Sequence, residues 1–376
     1  MKIAFNALST QRNMTGSCRY YRDLIKFLLK IKSDVRIENW VHESNYVNYN
    51  FKSERYNEHR IGGWTCNRVL RIIYEQSALG RKINKVNPDL FHGNGFIPYG
   101  LKCPAVVTIH DLSYFRQKER TTPLRSWYFR KFTRISALKS LWIITDSEAS
   151  KKDIEHFIPE AKGRVAVIPI ATEPIFRPVD DFTLLQNFLL KYKLKKRFFL
   201  YLGTLEPGKN LVRLINAYNT AVSQDKIEVD LVIAGKKGWL FGDILKSAEK
   251  TALLNKRIFF LDYVPEEELP ILYNAAECLV FPSLNEGFGL PPLEAMSCGT
   301  PVITSNISSL PEVVGDAAIT INPLIEDEIR KAMVKVSLDE NLRLALRDKG
   351  LERAKMFSWE NTVEGVLKVY ERALSS

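Results

Sequence analysis

The chain has 376 residues, of which 45% are hydrophobic and 26% charged, and its net charge is +11. That balance excludes a disordered chain and suits two globular domains, each able to bury its own core. Cys18, Cys66, Cys103, Cys278 and Cys298 form no C-x-x-C pair, which argues against a disulfide scaffold or zinc site and predicts a reduced, cytosolic protein. No run of 18 apolar residues is present to span a bilayer, and the apolar stretch in MKIAFNALST is too short for the core of a signal peptide.

Taken in order, Lys2 to Asn6 reads as a first strand. After the polar loop Ser9 to Ser17, an amphipathic helix runs from about Arg19 to Lys32, with Tyr20, Leu24, Phe27 and Leu28 on one face. Val35 to Trp40 is a second strand. Residues 41–63 are polar and read as an irregular surface excursion, followed by a helix from Asn67 to Asn84. Leu90 to His92, Ala105 to His110, Leu141 to Thr145 and Val165 to Ile168 are short apolar strands separated by turn or helical sequence. Such alternation predicts a mostly parallel sheet covered on both faces.

Prolines at 169, 174 and 178 mark a long non-periodic segment, so the first domain is placed at 1–178. A helix from Phe182 to Tyr192 leads into a second alternating unit, 179–358. Its strands are Phe198–Gly203, Asp230–Ala234, Ile258–Leu261, Cys278–Phe281, Pro301–Thr304 and Ala318–Ile321. From Glu326 onward the pattern is helical. Two doubly wound units in tandem predict a ligand cleft between them, at the carboxyl ends of the strands.

The charge is uneven. Residues 1–189 hold 30 Lys and Arg against 18 Asp and Glu, a net +12, whereas residues 190–376 hold 24 against 25. Phe115 to Lys152 alone carries ten basic and three acidic residues, interleaved with Trp127, Tyr128, Phe129, Phe132 and Trp142. A basic, aromatic helix of this kind suits an anionic membrane surface; its other reading is a solvated face whose aromatic side chains pack inward. No nucleic-acid recognition motif accompanies the basic charge.

The most informative stretch is Phe281 to Thr300, FPSLNEGFGLPPLEAMSCGT. A buried strand meets a glycine turn containing Glu286, and Pro291 and Pro292 suit the first turn of a helix that carries Glu294. The amino end of that helix favours an anion, typically phosphate. Eight positions along an ideal helix are about 12 Å, against roughly 5–5.5 Å for the carboxyl pair of a retaining glycosidase. The turn and the prolines depart from that ideal helix, and separate roles for the two glutamates are the simpler account.

The run from Glu286 to Val302 resembles the E-x7-E signature of retaining glycosyltransferases of family 4, which have the GT-B fold. The resemblance implies that a nucleotide-sugar donor binds in the cleft, with Glu294 on the ribose, Glu286 on the transferred sugar, and Gly287, Phe288, Gly289 and Leu290 around them. Lys209, in LGTLEPGKN, is similar to the family's diphosphate-binding lysine; Thr204 and Gly208 stand where an arginine is usual. Tyr263 and Val264 resemble the segment whose backbone reads the base. His110, in VTIHDL, is implied to contact the donor sugar's hydroxyls, and the strand-end run Phe91-His92-Gly93-Asn94-Gly95 is a weaker candidate for acceptor or sugar contact. Gly16, in TGSCRY, resembles a TGIGRY loop near the donor, with Cys18 in place of the second glycine. Ser147 of the T-x-S-E match reads as a helix N-cap, and the Asn-Gly usual after Ile-Pro is replaced by Ile170-Ala171. The last helix, 359–376, is implied to cross back to the first domain.

No D-x-D triplet occurs, and no metal or other cofactor is expected. The catalytic set is Glu286, His110 and Lys209. The reaction implied is retaining transfer of a hexose, with mannose from GDP-mannose the first choice and UDP- or dTDP-sugars next. The acceptor is a glycan, lipid-linked in the reading that accounts for the basic first half. Two other classes remain: a sugar-phosphate isomerase or phosphorylase on the same fold, for which no signature is present, and a catalytically silent sugar-nucleotide-binding protein.

Overall fold

The computed structural model describes residues 1–10, 16–43, 48–116, 123–195 and 197–375, apart from the side chains of Pro123 and Arg125. The chain divides into two compact units, Met1–Ile170 with Ser358–Ser376, and Ala171–Phe357. No helix among the described residues is long and apolar enough to cross a membrane.

The first unit is built on seven strands: β1 (Lys2–Asn6), β2 (Arg36–His42), β3 (Tyr56–Ile61), β4 (Leu90–Asn94), β5 (Ala105–Thr108), β6 (Trp142–Thr145) and β7 (Val165–Val167). Their order is β3-β2-β1-β4-β5-β6-β7, and every pairing is parallel. The second holds β8 (Phe198–Leu202), β9 (Asp230–Ala234), β10 (Ile258–Leu261), β11 (Cys278–Phe281), β12 (Val302–Ser305) and β13 (Ile319–Ile321). Their order, β10-β9-β8-β11-β12-β13, is again parallel throughout. Strands such as FFLYL of β8 and CLVF of β11 are apolar without alternation, because helices cover both faces of a parallel sheet. Strand order reverses between β1 and β4 and between β8 and β11. The carboxyl ends of these four strands are therefore where each sheet opens a crevice.

Several sequence expectations are corrected. Residues 41–63 are not an irregular excursion, since they contain the end of β2 and all of β3. β3 reads YNEHRI and escapes a hydrophobicity search because it is an edge strand held by polar side chains. Asn57 Nδ2 and His59 Nε2 meet the two carboxylate oxygens of Glu38 at 3.0 and 2.7 Å, and His59 stacks on Trp40 at 4.4 Å. The helix expected from Asn67 to Asn84 is interrupted by a π-helical turn at Glu75–Leu79, where buried Glu75 accepts from Asn6 Nδ2 of β1 at 3.1 Å.

The basic stretch Phe115 to Lys152 is not one helix. It holds the helix Pro123–Lys139, strand β6 with Trp142, and the start of the helix Glu148–Phe157; residues 117–122 lie outside the described residues, as do 11–15 of the Ser9–Ser17 loop. The first unit's main segment ends at Ile170 rather than Pro178, because the following residues are tied to the second unit. Thr172 Oγ1 bonds Ser297 Oγ at 3.1 Å, Phe176 packs edge-on to Tyr273, and the Val179 N–H donates to Asn274 Oδ1 at 2.8 Å. The final helix, Trp359–Ser375, packs within the first unit, with Trp359 stacked on Phe27 at 5.0 Å between centroids.

Candidate functional site

At the switch point of the second sheet, β8 and β11 each end in a turn that delivers one charged group. After β8 the chain passes Thr204, half-buried with its carbonyl accepting from the Tyr201 hydroxyl at 3.3 Å, and makes the 3-10 turn Pro207–Lys209. Asn210 then takes a left-handed conformation before the helix Leu211–Gln224. After β11, Leu284 N–H donates to the Gly208 carbonyl at 2.9 Å, which lashes the two turns together. Lys209 Nζ donates to Glu286 Oε1 at 2.6 Å, with only about 15% of either side chain exposed. The ammonium also lies 5.8 Å from the centroid of the Phe281 ring.

The Glu286 turn is held by two serines that sequence reasoning missed. Ser308 Oγ accepts from the Glu286 N–H at 3.1 Å and donates to the Glu286 carbonyl at 2.7 Å. Ser309 Oγ donates to the Phe288 carbonyl at 2.7 Å. Gly287 is buried, and buried Phe288 packs edge-on to Phe357 at 5.7 Å. Gly289 is the N-cap of the helix Leu290–Ser297 and has φ +120°, and no side chain caps that helix. Pro291 and Pro292 carry no N–H, so the donors at the helix mouth reduce to the amides before them, around Gly289 and Leu290. Glu294, one turn in, is buried and accepts from the Tyr273 hydroxyl at 2.8 Å.

On the other side of β8, Tyr263 and buried Val264 follow β10. Lys236, just past β9, places its ammonium 4.9 Å from the Tyr263 ring centroid. This pair follows from register: β9 and β10 run in parallel with Leu231 opposite Ile258, and the same offset carries Lys236 to Tyr263. Gly235 permits the close approach, since a Cβ there would lie 2.0 Å from the Gly203 carbonyl oxygen.

In the first unit, His110 follows β5. Its Nδ1 lies 2.6 Å from Asp146 Oδ2, its ring meets the edge of Tyr20 at 4.9 Å, and its carbonyl accepts from Ser150 Oγ at 2.8 Å. Asp146 was missed from sequence, yet it too is a register partner: Val106 opposes Trp142 across β5 and β6, and the same offset sets His110 beside Asp146. Burial disfavours the charged imidazole, but the carboxylate beside it outweighs that and raises its pKa. The Nε2 atom of His110 is buried and has no hydrogen-bond partner among the described residues. Ser147 caps the next helix by accepting from the Ser150 N–H. Gly16 is exposed at the start of the helix Gly16–Ile31.

His92 is corrected to a structural residue. It is fully buried, with Nδ1 at 2.5 Å from the Tyr370 hydroxyl and Nε2 at 2.7 Å from Thr108 Oγ1. Burial, reinforced by the charge on His110, lowers its pKa to about 3. Asn94 donates to the Ser17 carbonyl at 3.3 Å.

Two sequence families match this chain: one described as glycosyl transferases group 1 over residues 186–353, the other as glycosyltransferase family 4 over residues 18–173. The chain is 31% identical to an O-antigen chain mannosyltransferase B from Escherichia coli, over 99% of this chain and all of that protein. In structure it is similar to a sucrose-phosphate synthase from Thermosynechococcus elongatus, with TM-score 0.78 and 19% identity, covering 100% of this chain and 99% of that one. It is also similar to Anabaena HepE, solved with UDP and glucose, with TM-score 0.74 and 16% identity over 99% of this chain and 100% of the other. Two parallel α/β sheets and these neighbours make the fold GT-B.

Proposed function

The chain belongs to glycosyltransferase family 4, and from that premise we propose that it transfers mannose from GDP-mannose to a growing cell-surface glycan, with the anomeric configuration retained. The observation that carries this reading is the Lys209–Glu286 pair at the β8–β11 switch point. A diphosphate reaching that crevice meets a fixed ammonium whose counter-charge, Glu286, can turn to the hydroxyls of the sugar. The C1–oxygen bond to the diphosphate breaks with its electrons passing to the phosphate oxygen. Lys209 and the amides around Gly287, Gly289 and Leu290 stabilise that developing charge without a metal. The acceptor hydroxyl attacks C1 from the side of the departing phosphate, which takes the hydroxyl proton.

Glu294 receives the ribose, Tyr263 and Val264 flank the base, and Thr204 lines the phosphate turn. His110 contacts the transferred sugar through Nε2, and Gly16 lies near the donor. The relative that is an O-antigen chain mannosyltransferase supports mannose and a polysaccharide acceptor. The excess positive charge of residues 1–189 supports a lipid-linked acceptor and an anionic membrane surface at the inner face of the cell membrane.

Release of GDP from GDP-mannose, with and without acceptor glycan, tests the reading. Glu286→Ala should lower that release roughly 100-fold or more, with Glu286→Gln less affected. Thermal shifts against GDP-, UDP-, dTDP- and ADP-sugars identify the base. A rise with UDP- or dTDP-sugars reassigns the donor, a rise without any release makes the protein a silent sugar-nucleotide binder, and no rise with any of the four sinks the proposal.

A further inference from the structure

Apart from the residues assigned to the donor, the first unit presents an apolar face to solvent. On the helix Arg68–Tyr74, Val69 is 64%, Leu70 44% and Ile73 56% exposed, and Trp64 just before it is 49% exposed. Positions 69, 70 and 73 share one side of the helix, while Tyr74 and Glu75 turn inward. Trp64 joins the patch by its edge contact with Tyr74 at 5.3 Å. At the start of the helix Pro123–Lys139, Leu124 is 75% and Trp127 54% exposed, one turn apart.

The two helical segments lie on the same side of the sheet. One connects β3 to β4 and the other β5 to β6, both stepping the same way across the strand order, and right-handed crossovers then cover one face. Tyr74, Leu79 and Ile83 of the first segment accordingly share a core cluster with Ala137 of the second. The Arg68 guanidinium lies 5.2 Å from the Phe129 ring and joins them directly.

Charge on these two segments is predominantly basic, with Arg134 paired to Glu160 from a neighbouring turn. Residues 60–85 hold six basic residues and one acid, the buried Glu75, and residues 123–139 hold five basic residues and no acid. Lys131 Nζ sits 4.8 Å from the Trp127 ring centroid and Lys82 Nζ 5.3 Å from that of Tyr74. Ammonium groups held over aromatic rings in this way keep cationic charge at the edge of the apolar patch.

We propose that this face docks on an anionic lipid bilayer, with Trp64, Val69, Leu70, Ile73, Leu124 and Trp127 entering the boundary between headgroups and acyl chains. The cations around them meet lipid phosphates. A convex helix face studded with large apolar groups needs no shape-matched partner in a fluid interface, and a negative surface complements its charge. The inference deepens the lipid-linked acceptor reading and rests on it for its biological sense, but its test uses no substrate.

The test is sedimentation of the full chain with vesicles of phosphatidylcholine alone or mixed with phosphatidylglycerol, at low and high salt. Binding to the mixed vesicles should be strong, weaken with salt, and fall about tenfold or more in a Val69→Ser/Leu70→Ser/Ile73→Ser variant and again on Trp127→Ser. Brominated lipids should quench wild-type tryptophan emission, and less so in Trp64→Phe. Circular dichroism checks that the variants fold, as exposed positions should. Undiminished binding by the triple variant, equal binding to neutral vesicles, or no binding at all would overturn the proposal. So would self-association that the triple variant abolishes without any vesicle binding, since the face is then a subunit interface. Nucleotide release in solution separates the two readings, because loss of vesicle binding with release intact fails only this one.

Discussion

At His110 the Asp146 carboxylate holds the Nδ1 side of the ring at 2.6 Å, which fixes the ring's orientation and leaves Nε2 as its second polar atom, buried and without a hydrogen-bond partner among the described residues. Asp146 touches no reacting atom in this arrangement and is a positioning residue. Asp146→Asn keeps the shape and removes the charge, so burial becomes the leading influence and the imidazole pKa should fall. In an NMR titration the His110 ring should lose its proton at lower pH than in the wild type, and the pH profile of nucleotide release should shift the same way. An unmoved titration would show that the contact is only packing. The turns that carry Lys209 and Glu286 and the helix that carries Glu294 were legible because each is set by consecutive residues. Asp146, Ser308, Ser309 and Tyr273 were not, because each reaches its partner from a different element. His92 was misread for the same reason: its partner Tyr370 comes from the last helix, and a histidine at a strand end looks alike in sequence whether it faces a ligand or a tyrosine.

Among the elements, the parallel strands and their turns set how closely the charged groups can gather. The end of β9 passes so near the end of β8 that any side chain at Gly235, whose φ is +142°, would meet the Gly203 carbonyl oxygen at 2.0 Å. Gly235→Ala should therefore cost about 2–3 kcal/mol through strain and forced separation of the two turns. A fall in the urea midpoint at unchanged slope would register it, and thermal shifts with nucleotide sugars should shrink as Lys236 is displaced. A midpoint within error of the wild type would remove Gly235 from this account. β3 shows the converse limit of pattern reading. Its side chains are polar because Glu38 supplies their partners, and hydrophobic periodicity has no means of seeing a strand stabilised in that way.

On the scale of the molecule, the final helix completes the first unit's interior. Tyr370 bonds His92, His92 bonds Thr108, and Thr108 lies 3.4 Å from the Tyr20 hydroxyl, so one buried polar chain runs from the last helix to the first. His92 takes up its proton near pH 6.5 when unfolded but only near pH 3 in the fold. Stability present above pH 6.5 is thus lost as pH falls between those values, by up to about 1.4 kcal/mol per pH unit. His110, with a raised value, acts in the opposite sense: its contribution is complete below pH 6.5 and lost as pH rises through its folded value. Urea unfolding from pH 6.5 down to 4.5 should therefore show a shallower loss of stability in His92→Gln than in the wild type, and equal slopes would contradict the assignment.

Local sequence determined the strand–helix alternation, the parallel sheets, and the turn that joins Glu286 to the helix of Glu294, because apolar runs, prolines and glycines act on their immediate neighbours. Tertiary structure alone decided that Lys209 pairs with Glu286, that Asp146 holds His110, and that His92 is a core residue. It also decided that Trp64, Val69, Leu70 and Ile73 face solvent. Those outcomes depend on strand order and register, which bring together residues far apart in the chain and set which side of a helix the core can bury.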